Sequence, residues 1–392
     1  MEDDSKKLDA VAVDNFRKYL RIPSVHPDVN YDDCVNFLRG VAEDLQLSFN
    51  VYECHPRKPM VVISWIGKEP KLPSVMLNSH MDVVPVIEDD WVFKPFDAVM
   101  DQNGDIYGRG AQDVKSLGIQ YLEAIRRLKL KRYQPRRSVH VSFAPDEEIG
   151  GLLGMKLFAK SEYFKKLGVG FALDEGIPGQ TEYWVYYAEK ISKSLIVHCK
   201  GQGGHGSLMI DNTPGEKLAR LLKKIYEFRA NEKEKGDEAV TVNLTIMQGG
   251  VQNNVIPDEF LITLDTRLPP TVDLEHFVNI VKRWCKDAGE DVWVENLDFE
   301  ELPQITKLDE SNPFWLGFKD AVEKMNIPLK TLVLHASSDA RYLRAAGVPT
   351  LGFCPHLNTP IRAHRDNEFM NVDVFLHGIG AYCKIIPAIA DV

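Results

Sequence analysis

The sequence predicts an α/β protein in which a larger domain is interrupted by a smaller α+β domain. Three observations carry this reading. Short apolar runs at Val75-Met76-Leu77, Val139 to Phe143 and Phe171-Ala172-Leu173 each stop at a His/Asp or acidic pair, the way buried strands of an α/β sheet end at a functional edge. From 189 to 307 the elements instead run β-α-β-β-α-β, the order of a ferredoxin-like domain. Helix and strand patterns of the first kind then resume. Residues 1–188 and 308–392 are therefore expected to form one discontinuous domain, and 189–307 an insertion. A chain of 392 residues is longer than one core normally holds, which agrees with two domains.

In chain order, apolar residues recur at three- and four-residue spacing over Val11 to Leu20 and over Asp33 to Leu45, which predicts two helices. Pro59 to Gly67 reads as a strand, and the strand leading to His80 follows. Residues two apart on an extended backbone share a face, so His80 and Asp82 emerge side by side. The plain alternative is a surface His beside an ordinary Asp. Asp113 follows Gly108-Arg109-Gly110 and opens a helix striped by Leu117, Tyr121, Ala124 and Leu128. Taken alone, it reads as an N-capping residue. The alternating strand Val139, Val141, Phe143 runs into Pro145-Asp146-Glu147-Glu148, and consecutive acids are costly there unless solvated or offset by a cation. Asp174-Glu175 ends the next strand.

Within the insertion, Ser194 to Lys200 reads as a strand and Gly201 to Ser207 as a flexible loop containing His205. Thr213-Pro214-Gly215-Glu216 is a helix start: a Thr cap, Pro at the first position and Glu at the third. That helix continues to about Arg229. Val240 to Ile246 and Phe260 to Leu264 alternate as strands, Phe277, Val281 and Trp284 mark a helix, and Val292 to Val294 is a closing strand. Beyond it come a helix at Asn312 to Met325, a strand at Val348 to Phe353 and a final helix at Val372 to Ile386. Arg341 lies in a polar stretch before that strand, and an Arg fork matches a carboxylate, although a surface salt bridge explains it equally well. His364 sits in the loop before the last helix.

Carboxylates gathered at one sheet edge call for cations. One imidazole among several carboxylates suits zinc, cobalt or manganese better than calcium, which takes oxygen ligands. An Asp shared between two ions is a common way to hold a two-metal hydrolytic site. Hydrophobic residues are 44% and charged residues 27% of the chain, as in an ordinary globular enzyme, and the net charge of −10 argues against a nucleic-acid partner. The six cysteines are scattered without a C-x-x-C pair, so they are expected reduced, as in a cytoplasmic protein. No signal peptide follows the polar start Met1 to Lys7, and no apolar run reaches membrane-spanning length, so no membrane association is expected.

His80-x-Asp82-x-Val84-Pro85, Gly108-Arg109-Gly110-x-x-Asp113, Glu147-Glu148-x-Gly150-Gly151, Asp174-Glu175-Gly176, Gly204-His205 and the late His364 occur in this order along nearly the whole chain. Together they resemble the dinuclear zinc amidohydrolases, the family of aminoacylases, glutamate carboxypeptidases and acetylornithine deacetylases, with the aminoacylases nearest. The resemblance implies a mixed-sheet, zinc-peptidase-like catalytic domain and an inserted dimerisation (lid) domain. It implies two zinc ions, with cobalt or manganese as substitutes. His80 and Glu175 would bind one ion, Glu148 and His364 the other, and Asp113 would bridge. From the residues alone Asp174 and Glu175 are equal candidates; the resemblance selects Glu175.

The same resemblance makes Glu147 the general base and Asp82 the group that orients His80. His205 would reach the partner subunit's site in a homodimer, and Asn254 and Arg341 would hold the substrate carboxylate. The implied activity is hydrolysis of N-acyl-L-amino acids. A dipeptidase or carboxypeptidase, or an inactive binding homologue, is the alternative. Two stretches depart from the family pattern: Gly206 follows His205, and Leu334-His335-Ala336-Ser337 precedes Asp339.

Overall fold

The computed structural model describes residues 2–295, 297 and 304–392. The chain divides into two compact units. The larger comprises Met1–Tyr187, Ile305–Leu332 and Ser338–Val392, and the smaller comprises Ala188–Gln304 with Val333–Ser337. The returning chain thus lends five residues, 333–337, to the smaller unit.

An eight-stranded sheet forms the larger unit's spine, in the order Ser48–Glu53, Pro59–Trp65, Val139–Ala144, Ser74–His80, Val169–Asp174, Thr350–Phe353, Tyr183–Glu189 and Leu329–Leu334. Its centre is parallel: Ser74–His80 pairs in parallel with both Val139–Ala144 and Val169–Asp174, and Thr350–Phe353 continues this. Antiparallel pairs flank it on both sides. The strands Pro59–Trp65, Ser74–His80 and Val139–Ala144 are buried along their whole length, as expected where helices cover both faces.

The alternating polar residues of Val139–Ala144 are buried too, and they are paired across the sheet. Ser142 Oγ donates to Asn78 Oδ1 at 2.6 Å, and Ser64 Oγ lies 2.8 Å from His140 Nδ1. Burial pushes His140 down to about 4, so it stays neutral at physiological pH.

The helix Lys115–Leu130 packs its buried side chains against this sheet, and its first residue ties down the N-terminal helix Glu2–Leu20. Carbonyls at a helix end lack partners within the helix. Lys115 Nζ supplies one to Tyr19 O at 3.2 Å and to Ile22 O at 2.6 Å. Among the described residues, one helix, Val372–Ala390, is long and apolar enough to cross a membrane. It is built into the core: Phe375, Ile379, Tyr382 and Ile386 are fully buried, and Phe375 stacks on Phe16. A Cβ on Gly378 would lie 2.2 Å from Gln120 Nε2, so a larger residue there would push the Gln120 amide off its bond to Phe375 O.

The smaller unit has a four-stranded sheet in the order Thr241–Gly249, Glu259–Leu268, Ile191–Lys200, Val292–Glu295, with every pairing antiparallel. With helices Pro214–Glu232 and Leu274–Ala288 it has the expected β-α-β-β-α-β order. Leu195, Val197, Ile262, Leu264, Phe277 and Val281 are in its core. The capping box is present: Glu216 N donates to Thr213 Oγ1, and Thr213 N to Glu216 Oε2. A bulge between Leu244 and Ile246 breaks the alternation read from the sequence. Past it, Ile246 and Met247 lie exposed on the sheet's edge strand.

Candidate metal centre

His80 is the last residue of a buried central strand, so its ring is delivered to the sheet edge in a buried setting. Its Nδ1 lies 2.9 Å from the main-chain carbonyl of Asp82. A carbonyl only accepts, so Nδ1 carries a proton, and Nε2 is the nitrogen turned toward the acids. Nε2 faces Asp113 Oδ1 at 3.1 Å and Glu175 Oε2 at 3.7 Å. The other oxygen of Asp113 lies 3.2 Å from His364 Nε2, and Glu148 Oε2 lies 2.9 Å from the same nitrogen.

Two groups result, His80–Asp113–Glu175 and Asp113–Glu148–His364, each with its ligand atoms within 4.8 Å of one another. Asp113 belongs to both. It does not cap the helix it precedes: the N-cap is Val114, and no side chain caps there. Asp174 is used differently, accepting from Asn78 Nδ2 at 2.9 Å within the sheet. Neighbouring residues at a strand end face opposite ways, and Glu175 is the one that joins the cluster.

The cluster carries more negative charge than its surroundings neutralise. Burial and Asp113 push Glu175 up to about 8, and burial and Asp113 also raise Glu148. Burial, then Glu175, lifts Glu147 well above the usual carboxylate range. Hydrogen bonds to Asp113 and Glu148 push His364 up to about 10. Burial opposes the charge on Asp113, but His364 and His80 outweigh it and hold its carboxyl low. Glu148 Oε1 is buried and has no hydrogen-bond partner among the described residues. Excess carboxylate, an acceptor left unpaired and two imidazoles whose Nε2 atoms converge on the shared Asp113 fit a divalent transition metal.

The model of peptidase family M20/M25/M40 matches residues 76–388. The chain belongs to that family. It is 42% identical to Aminoacylase-1 of Mus musculus over 386 residues, covering 96% of this chain and 95% of that protein. It is 41% identical to Aminoacylase-1 of Homo sapiens, with the same coverage. Among solved structures, the M20 family metallo-carboxypeptidase Sso-CP2 of Sulfolobus solfataricus superposes with a TM-score of 0.74 at 17% identity, covering 97% of this chain and 99% of that one. Aminopeptidase PepT of Bacillus cereus gives 0.75 at 18% identity, covering 98% and 99%. These two likenesses concern the fold alone.

The carboxylate of Asp82 is not what aims His80; Oδ1 is 3.7 Å from Nδ1, and the backbone carbonyl takes that role. The carboxylate instead accepts from the main-chain N–H of Glu147 at 3.2 Å and of Glu148 at 3.0 Å, and from His26 Nε2 at 2.9 Å. Asp82 thus holds the turn that carries both acids. A second anchor lies just before them. Asp146 sits in the left-handed region at φ 61°, a conformation that costs roughly 1–3 kcal/mol when a non-glycine residue adopts it. Tyr31 Oη donates to Asp146 Oδ1 at 2.7 Å and accepts from Asp146 N at 2.9 Å, and Lys58 Nζ pairs with the carboxylate at 2.7 Å. His26, Tyr31 and Lys58 carried no signal in the sequence, since their partners lie 56 to 115 positions away.

Arg341 opens a short helix, Ala340–Ala345, and its Nη2 donates to Gly150 O at 2.8 Å, beside the acidic turn. His205 and Asn254 belong to the smaller unit, where they are neighbours: Gly206 N donates to Asn254 O at 2.7 Å, and His205 pairs with Val255 in a two-residue ribbon. Both are exposed, and His205 Nδ1 lies 2.7 Å from Ser207 Oγ. All six cysteines are unpaired thiols.

Proposed function

We propose that this protein is a metal-dependent aminoacylase that hydrolyses N-acyl-L-amino acids to a carboxylate and a free L-amino acid. The observation that carries this reading is the pair of ligand groups sharing Asp113, on a chain 42% identical over 96% of its length to a protein named Aminoacylase-1. The site is read as dinuclear zinc, with His80 and Glu175 on one ion, Glu148 and His364 on the other, and Asp113 between them. When bound, the metal supplies a water of lowered pKa and a polarised amide carbonyl.

The chain's own residues do the rest. Glu147, buried and pushed toward higher pKa beside Glu175, takes the proton of the attacking water as the C–O bond forms. It returns that proton to the amine nitrogen as the C–N bond breaks. Asp82, through the N–H groups of Glu147 and Glu148, keeps the base and its neighbouring ligand in one rigid turn. Arg341 and Asn254 hold the α-carboxylate of the substrate, and His205 steadies the oxyanion. Rates on N-acetyl-L-methionine beside simple dipeptides test the reading. Preference for the N-acyl amino acid is expected, and a dipeptide preference of orders of magnitude would sink it.

The enzyme is read as a cytoplasmic homodimer in which His205 serves the partner's site. Support comes from the unpaired cysteines and from the edge strand Thr241–Gly249, whose exposed Ile246 and Met247 suit pairing with a second copy. His205→Ala and Glu147→Gln subunits, each nearly inactive alone, are expected to regain roughly a quarter of wild-type activity when mixed, because half the dimers carry one intact composite site. No recovery under verified subunit exchange would mean that His205 acts within its own chain or not at all.

A further inference from the structure

Two loops far apart in sequence carry the shared ligand and the last ligand of the cluster. One is 108–113, ending at Asp113; the other is 360–369, containing His364. Neither is a regular helix or strand through its ligand, so neither has a ladder to hold it. The loops are joined by one buried carboxylate.

Glu368 is fully buried. Its Oε1 accepts from the main-chain N–H of Gln112 at 2.6 Å and of Asp113 at 3.2 Å. Its Oε2 accepts from Arg109 Nη1 at 2.9 Å and from Gly110 N at 3.1 Å. Arg109 Nη1 also donates to Arg365 O at 3.0 Å, next to His364.

The first loop reciprocates through Gln112, the residue before Asp113. Gln112 Nε2 donates to Pro360 O at 3.1 Å and to Phe369 O at 2.8 Å, and its Oε1 accepts from Arg362 N at 2.8 Å. His364 itself holds a left-handed φ of 62°, which a non-glycine residue keeps only where its surroundings over-determine it. The Gln112 and Glu368 bonds bracket it on both sides.

We infer that Glu368 and Gln112 are positioning residues whose reciprocal clamp brings Asp113 and His364 to metal-binding distance. The clamp thereby sets the metal affinity of the Asp113–Glu148–His364 group. Glu368 belongs to neither ligand group. It acts by placing the backbone of the shared ligand, and Gln112 by placing the loop of the last one. The inference rests on reading the cluster as a metal centre.

The test is metal binding, measured without reference to turnover. Wild type, Glu368→Gln and Gln112→Ala are stripped of metal and titrated with zinc against a chromogenic chelator. They are also loaded with cobalt and followed by visible absorption. Glu368→Gln turns an NH2 group toward N–H donors, and Gln112→Ala frees the His364 loop while leaving every Glu368 bond available. Both are expected to stay folded when metal-free, to lose 10- to 100-fold in zinc affinity at the weaker step, and to shift the cobalt bands. A purely structural role would lower the metal-free melting temperature and leave affinity and spectrum unchanged, and that result overturns the inference. If Glu368→Gln does not fold, Gln112→Ala decides by the same readouts. A wild-type protein that binds no divalent ion would overturn the metal-centre reading itself, which is a distinct result.

Discussion

Glu147→Gln is expected to keep its metal and its fold while losing roughly 100- to 10,000-fold in kcat, the usual share of a general base. The substitution preserves shape and removes the basic oxygen proposed to accept the water's proton. It spares the ligand next to it, because Asp82 holds Glu147 and Glu148 through their main-chain N–H groups, which the amide leaves in place. The stability effect has a definite sign. Burial and Glu175 raise the Glu147 carboxyl well above its usual range, so its ionised form destabilises the metal-free fold at neutral pH. A neutral amide removes that cost, and metal-free Glu147→Gln should melt no lower than wild type. Metal content, circular dichroism and steady-state rates check this together. Near wild-type turnover would take Glu147 out of the base role.

Asp113→Ala is expected to be as severe for a different reason. Each carboxylate oxygen faces one imidazole, His80 at 3.1 Å and His364 at 3.2 Å, so removing the side chain damages both ligand groups at once. Glu175→Gln, by contrast, leaves Asp113, Glu148 and His364 intact. We expect Asp113→Ala to be isolated with little or no metal, and Glu175→Gln to retain part of it. Loss of the metal's contribution to the transition state, several kcal/mol, corresponds to a fall of on the order of 1,000-fold in rate or more. Metal analysis of the purified variants is the decisive measurement. A full metal complement in Asp113→Ala would show that the bridge is not needed to hold the ions.

Much of this site could be read before any coordinates. Apolar strands ending in His80, Glu147-Glu148 and Asp174-Glu175 are local patterns, and so are the capping box at Thr213 and the β-α-β-β-α-β order. Local patterns depend on backbone period and on neighbours three or four residues away, and those survive in a linear reading. The family resemblance added the late His364, which has no local signature.

What the chain order does not contain is which partners meet across the fold. Asp113 looked like a helix cap and is the residue common to both ligand groups. Asp82 is read as the group that orients His80, and the fold divides its parts: its carbonyl faces His80 Nδ1 while its carboxylate holds a turn 65 positions further on. Glu368 has no local signature, yet it binds a loop more than 250 positions earlier. His80 is presented by its own strand, and the Asp82 carboxylate serves the acids beside it. A strand's residues specify where its polar end emerges, because pleat and burial are periodic along the chain. The assignment of each carboxylate oxygen belongs to packing, because hydrogen bonds of about 3 Å form only between groups that the completed core brings together.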